Sequence, residues 1–187
     1  MSNLVERYRT WDGEFEKITY TYDSDGNEIT ESKQNSYTWD DDVTRISTYD
    51  SSGNLFTIEY DELSDGSIDS RTTYIRNSDS GLVLESHRDE DGDGDYEERD
   101  LYHYNSEQQI TRIDTYDDSN SITGYTVFTY HSGGGGLSLK TDWDNDGRYD
   151  MTSISSYDEL DRQESHTMVF DSDLEILRST YSTTWEY

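Results

Sequence analysis

The feature that most constrains the fold of this 187-residue chain is an internal repeat of about 27 residues. An aromatic residue followed by Asp, Asn or His recurs along the chain, as in Tyr49-Asp50, Tyr104-Asn105 and Tyr157-Asp158. The polar members fall at 23, 50, 77, 105, 131 and 158, in steps of 26 to 28 residues, although Arg76 replaces the aromatic before 77. Periods of this length are typical of repeat proteins, in which neighbouring units bury each other's surfaces.

Each of these marks has the residues of a tight turn, and the segments between them alternate like strands. Residues 23–27 (Asp-Ser-Asp-Gly-Asn) and 50–54 (Asp-Ser-Ser-Gly-Asn) put Gly and Asn where a turn needs a positive φ, and the glycine run 133–136 resembles them. Between marks, apolar and polar side chains alternate with period two. The sequence therefore predicts an all-β fold, an antiparallel meander of repeated β-hairpins that forms a curled or stacked repeat sheet.

No shift in composition marks a domain boundary. We therefore predict one β-repeat domain over 1–187, with terminal strands as caps and repeat units that begin near 12, 40, 65, 93, 120 and 146.

The charge and composition exclude several classes of protein. The chain has 43 acidic and 14 basic residues, a net charge of −29 that disfavours binding to nucleic acid or anionic lipid. It has no Cys, so it forms no disulfide and no thiolate zinc site, and no run approaches the ~20 apolar residues of a membrane span. Aliphatic residues are scarce, but 17 Tyr and 4 Trp in a regular pattern predict a folded protein with a thin core.

Two stretches carry a family resemblance. Residues 20–27 (Tyr-Thr-Tyr-Asp-Ser-Asp-Gly-Asn) and 47–55 (Ser-Thr-Tyr-Asp-Ser-Ser-Gly-Asn-Leu) resemble the Tyr-Asp (YD) repeats of Rhs-type bacterial proteins, whose motif reads YxYDxxGN(L). The resemblance implies spiralling β-sheets that form an exported structural shell.

Two acidic turns are the candidate chemistry. Residues 89–97 (Asp-Glu-Asp-Gly-Asp-Gly-Asp-Tyr-Glu) and 142–150 (Asp-Trp-Asp-Asn-Asp-Gly-Arg-Tyr-Asp) share acids at positions 1, 3, 5 and 9 and Gly at position 6. Calcium takes six to eight oxygen ligands, and alternate residues of a tight turn can supply carboxylates. The twelfth position lacks the Glu of an EF-hand, so the loops are more similar to the DxDxDG calcium loops of thrombospondin type 3 modules. The predicted calcium ligands are Asp89, Asp91, Asp93, Asp95, Glu97, Asp142, Asp144, Asp146 and Asp150.

A third loop, 61–69, keeps Asp at positions 1, 5 and 9, but Leu63 replaces the acid at position 3. We expect this loop to be a solvated turn rather than a cation site.

Sequence reasoning favours a non-enzymatic structural or adhesive module, because none of the four His residues belongs to a catalytic motif. The module would be part of an exported or surface bacterial protein or filament, stabilised by calcium and associating through its edge strands or with surface proteins or glycans. We expect an extracellular or cell-surface location, although no signal peptide is recognised. The alternatives are an acidic inhibitor or nucleic-acid mimic that binds a basic partner, and a carbohydrate-binding β-domain.

Overall fold

The fold consists of strands and turns. A computed structural model describes residues 3–11, 14–36, 42–131, 136–157, 163–170 and 180–184. Fourteen strands form within these ranges: β1 (Asn3–Trp11), β2 (Glu14–Tyr22), β3 (Glu28–Asn35), β4 (Val43–Tyr49), β5 (Leu55–Asp61), β6 (Ser70–Arg76), β7 (Val83–Asp89), β8 (Glu98–Tyr104), β9 (Ile110–Asp117), β10 (Ile122–His131), β11 (Gly136–Asp142), β12 (Met151–Tyr157), β13 (Gln163–Phe170) and β14 (Thr180–Thr184). No helix in the described ranges is long and apolar enough to cross a membrane.

The strands pair with their neighbours in sequence. Cα packing divides the chain into two compact units, 1–99 and 100–187. In the first unit, each strand from β1 to β6 pairs antiparallel with the strand that follows it, the last of these pairs being β6 with β7. In the second, each strand from β9 to β13 does the same, the last pair being β13 with β14. The predicted all-β antiparallel meander is confirmed, while the single domain over 1–187 stays a prediction.

The repeated Asp or Asn builds the hairpin turn that follows its strand. In the turn at 50–54, Asp50 Oδ1 accepts hydrogen bonds from the backbone amides of Ser52 (2.8 Å) and Asn54 (2.9 Å). Gly53 adopts the left-handed φ of +80° that the reversal requires. In the same way, Asn105 Oδ1 accepts hydrogen bonds from the backbone amides of Glu107 (2.9 Å) and Gln109 (3.0 Å). The repeat period thus reflects local turn chemistry.

Some predicted positions lie outside the described residues. These are the first three residues of the glycine run (133–135), the unit starts at 12 and 40, Asp158, and the last residues of the C-terminal cap at 185–187.

The interior of each unit is polar. The buried side chains among the described residues are all polar or charged: Ser47, Asp61, Ser86, Asp89, Asp114, Thr141 and Asp142. The apolar side chains whose burial the structure describes are half-buried or exposed, as expected for strands whose two faces both stay in contact with water. The thin core inferred from the composition is therefore what the described residues form.

Polar pairs across the strands supplement this thin core. Hydroxyl groups meet in facing pairs, such as Thr21 with Thr30 (2.6 Å) and Thr48 with Thr57 (2.7 Å). Bases pair with acids on neighbouring strands, as Arg71 Nε does with Glu59 Oε1 at 2.7 Å. Such pairs each contribute roughly 0.2–1 kcal/mol, and the ion pairs offset part of the negative charge locally.

Candidate metal centre

Three loops follow the same backbone path. The loops are 61–69, 89–97 and 142–150, and we number the positions of each from 1 to 9. Position 1 is the Asp that ends the preceding strand, which is β5, β7 and β11 respectively. Position 4 is left-handed in all three loops, with φ of +50°, +73° and +57°, and so is the glycine at position 6, with φ of +95°, +98° and +89°. The resemblance between the loops inferred from spacing is therefore a resemblance of conformation.

The first Asp of each loop is buried. Asp61, Asp89 and Asp142 are 6%, 1% and 0% exposed, and the last two are the largest fully buried side chains among the described residues. Each accepts a hydrogen bond from the amide at position 6, at 2.9, 3.1 and 2.8 Å in chain order. The carboxylate therefore holds the tight reversal of its own loop.

Two other acids of each loop also close the turn. The carboxylate at position 9 accepts from the amide at position 2, at 2.7, 2.6 and 2.7 Å in chain order. The carboxylate at position 5 accepts from the amide at position 7, at 2.8, 2.8 and 2.7 Å. Loop 61–69 keeps these contacts with Leu63 at position 3, so the acids at positions 5 and 9 have a structural use that needs no cation.

The structure brings two groups of three carboxylates together. One oxygen each from Asp89, Asp91 and Glu97 lies within 4.8 Å of the other two, and the same holds for Asp142, Asp144 and Asp146. Oxygens bound to one calcium ion lie at 2.3–2.6 Å from it, hence within about 5 Å of each other. Both groups therefore fit a hard cation held by part of the predicted ligand set.

Three predicted ligands lie outside these groups. Asp93 accepts a hydrogen bond from the amide of Asp95 at 2.8 Å, and Asp150 accepts one from the amide of Trp143 at 2.7 Å. For Asp93, Asp95 and Asp150, a place in the coordination shell stays a prediction.

The carboxylate of Asp142 is held in its charged form. Burial by itself raises the pKa of this group, but hydrogen bonding within the turn, above all from the backbone amide of Gly147, outweighs burial and lowers the pKa below its ordinary value. A hard cation binds the deprotonated carboxylate, so the loop presents its first ligand in the form that binding requires.

Sequence reasoning missed the role of the residue that precedes the turn in two of the repeats. Tyr49 donates from its hydroxyl to the backbone carbonyl of Glu28, 21 residues back, at 2.8 Å. In the next repeat Arg76 stands in the equivalent place, and its Nε and Nη2 donate to the carbonyl of Leu55, again 21 residues back, both at 3.2 Å. Arg76, the exception in the aromatic series, thus keeps a side-chain hydrogen-bond donor at this position. Both Tyr49 and Arg76 link their own hairpin to the preceding one.

Comparison with known proteins identifies no family. No protein-family model matches the sequence, and no curated protein matches it. Among solved structures, a porin-like protein from Bacteroides uniformis ATCC 8492 matches with 12% identity and a TM-score of 0.47, over 96% of this chain and 92% of that chain. A TcdB2-TccC3 structure without its hypervariable C-terminal region matches with 12% identity and a TM-score of 0.40, over 91% of this chain and 10% of that chain. A TcdB2-TccC3-TEV structure matches with 10% identity and a TM-score of 0.23, over 89% of this chain and 12% of that chain.

Proposed function

We propose that this chain is a non-enzymatic structural module, a β-repeat segment of an exported or cell-surface bacterial protein or filament, and that calcium in its acidic loops stabilises it. The motif resemblance to YD repeats at 20–27 and 47–55 supports the exported, structural part of the proposal. The observation that carries the calcium part is the pair of three-carboxylate groups, each built around a buried Asp.

The placement of the acids favours this function over an acidic mimic of nucleic acid. A mimic would present carboxylates in a stripe that follows the spacing of phosphates. Here many acids instead accept hydrogen bonds from the backbone amides of their own turns, as Asp23, Asp50 and Asp89 do. The charge is therefore concentrated at the ends of the strands.

Thermal unfolding with and without calcium tests the proposal. At 10 mM calcium, and with the Kd of about 0.1–1 mM typical of extracellular modules, one site adds roughly 1.4–2.7 kcal/mol to the free energy of unfolding. For a chain of this length that corresponds to a rise in Tm of roughly 3–11 °C over the value in EDTA. Sodium chloride at matched ionic strength is the reference, because screening alone also changes the stability of an acidic protein.

Variants connect the rise in Tm to the loops. The double variant Asp91→Ala and Asp144→Ala should abolish the rise. The double variant Asp79→Ala and Asp118→Ala, at exposed acids of two hairpin turns, should keep it. A calcium effect no larger than that of matched salt would refute the calcium part of the proposal.

Antibody labelling of intact against permeabilised cells tests the surface location.

A second candidate function, binding of a glycan, is favoured by a cleft beside the hairpin turns of the first unit. It encloses about 400 Å³, and its lining includes Phe56, Tyr74, Asn54 and Arg76. An exposed aromatic beside hydrogen-bonding groups suits a sugar ring. Affinity electrophoresis in neutral polysaccharides should show retardation that Phe56→Ala removes and Tyr130→Ala, at another exposed aromatic, leaves unchanged.

A further inference from the structure

The two acidic loops differ in how their buried carboxylates are satisfied. In loop 89–97, both oxygens of Asp89 accept backbone hydrogen bonds, Oδ1 from Gly92 at 2.7 Å and Oδ2 from Gly94 at 3.1 Å. In loop 142–150, Oδ2 of Asp142 accepts from Gly147 at 2.8 Å, whereas Oδ1 has no hydrogen-bond partner.

An unpartnered oxygen of this kind is rare in the part of the chain that the structure describes. Only one other buried side-chain nitrogen or oxygen there, Nε of Arg45, lacks a partner. Asp142 is also 0% exposed, so bulk water does not reach its oxygen. Buried charges in proteins are normally paired, hydrogen-bonded or bound to a metal, and an orphaned acceptor points to a missing ion or water.

The neighbours of Asp142 favour a cation over a water molecule. The carboxylates of Asp144 and Asp146 share its group, so three formal negative charges meet within a few ångströms. Each of these two acids uses Oδ1 to accept one backbone amide, at 3.2 Å for Asp144 and 2.7 Å for Asp146. A carboxylate has two oxygens, and a divalent cation compensates the mutual repulsion that a neutral water cannot.

From this difference we infer that the stabilisation by calcium rests on loop 142–150, where the cation is held by Asp142, Asp144 and Asp146. Loop 89–97 has a first carboxylate that its own backbone already satisfies, so it binds the same cation more weakly and adds little to stability. The inference rests on the proposed function and specifies which of its two loops is the working site.

Matched substitutions at position 3 test this assignment. Asp91 and Asp144 each accept the position 5 amide with Oδ1 at 3.2 Å, a bond that Asn can keep while it loses the charge. The Tm of wild type, Asp91→Asn and Asp144→Asn is measured in EDTA and over a calcium titration. We expect similar values of Tm in EDTA, and a rise with calcium that Asp144→Asn loses in large part and Asp91→Asn largely retains.

A second matched pair at position 5 guards against an effect peculiar to one variant. Asp146→Asn removes a member of the three-carboxylate group, whereas Asp93→Asn changes an acid that lies outside its group, and both acids accept the position 7 amide. We expect Asp146→Asn alone to reduce the calcium response.

The outcomes separate this inference from the proposed function. A wild-type rise that Asp91→Asn removes as completely as Asp144→Asn overturns the assignment to loop 142–150 but leaves calcium stabilisation in place. The absence of any rise in the wild type refutes calcium stabilisation itself, and the assignment with it.

Discussion

Gly92→Ala should destabilise the protein far more than a glycine-to-alanine change two residues further on. A Cβ at Gly92 would lie 1.9 Å from the backbone carbonyl oxygen of Ile68 and 2.9 Å from its carbonyl carbon. At Gly94, in the same loop, a Cβ would have no heavy atom within 4 Å. Comparison of the two variants therefore separates two effects of the added methyl group: the clash of loop 89–97 with loop 61–69, and the strain of placing alanine at a positive φ.

The expected magnitudes follow from these contacts. Both glycines have positive φ, +73° at Gly92 and +98° at Gly94, so alanine costs about 1–2 kcal/mol at either position from backbone conformation. At Gly92 the methyl group must also displace a neighbouring backbone, and overpacking of this kind costs roughly 1–3 kcal/mol more. For a chain of this length, that excess corresponds to a further fall in Tm of roughly 2–12 °C.

The assay is thermal unfolding of wild type, Gly92→Ala and Gly94→Ala, followed by circular dichroism in EDTA so that cation binding does not contribute. A Tm for Gly92→Ala equal to or above that of Gly94→Ala would refute the close packing of the two loops.

Three further predictions concern the turns. Asp61→Ala should lower the free energy of unfolding by about 1–3 kcal/mol, because it leaves the backbone amides of Asp65 and Gly66 without their acceptor. The loss should be equal in calcium and in EDTA, since this loop needs no cation. With Glu62→Ala as the control, a larger loss in calcium would contradict this expectation. Tyr49→Phe should cost about 0.5–1.5 kcal/mol in urea unfolding through loss of the bond to the carbonyl of Glu28, and an unchanged midpoint would contradict the link between hairpins. The backbone and side-chain amides of Asn54 lower the pKa of Asp50. The Asp50 carboxylate therefore stabilises the fold above the ordinary Asp pKa of about 3.9, and this stabilisation is lost as the pH falls through the lowered pKa. When Tm is measured against pH, Asp50→Asn should reduce the fall in Tm on the acid side.

Much of the fold could be predicted because its causes are local in the sequence. A hairpin turn such as 50–54 closes through hydrogen bonds that Asp50 accepts from the backbone amides two and four positions on. The alternation between turns sets which side chains share a face of the sheet. A reader of the sequence can see both features without knowing where any other strand lies.

The candidate site could be predicted only in part. Spacing identified the two loops and the alternating acids, but it could not show which of these carboxylates come close enough together to share one cation. Asp93, Asp95 and Asp150 share that spacing, yet lie outside the three-carboxylate groups. The distinction depends on the direction of each carboxylate within the loop, which spacing does not report.

The sequence by itself determined the repeat, the turns and the strands, because each depends on residues that lie within a few positions of one another. The tertiary structure decided what depends on distant residues: the burial of Asp142, the bonds from Tyr49 and Arg76 to carbonyls 21 residues back, and the contact of Gly92 with Ile68. Such contacts form only once the strands are paired in register, since pairing places one loop or hairpin beside the next.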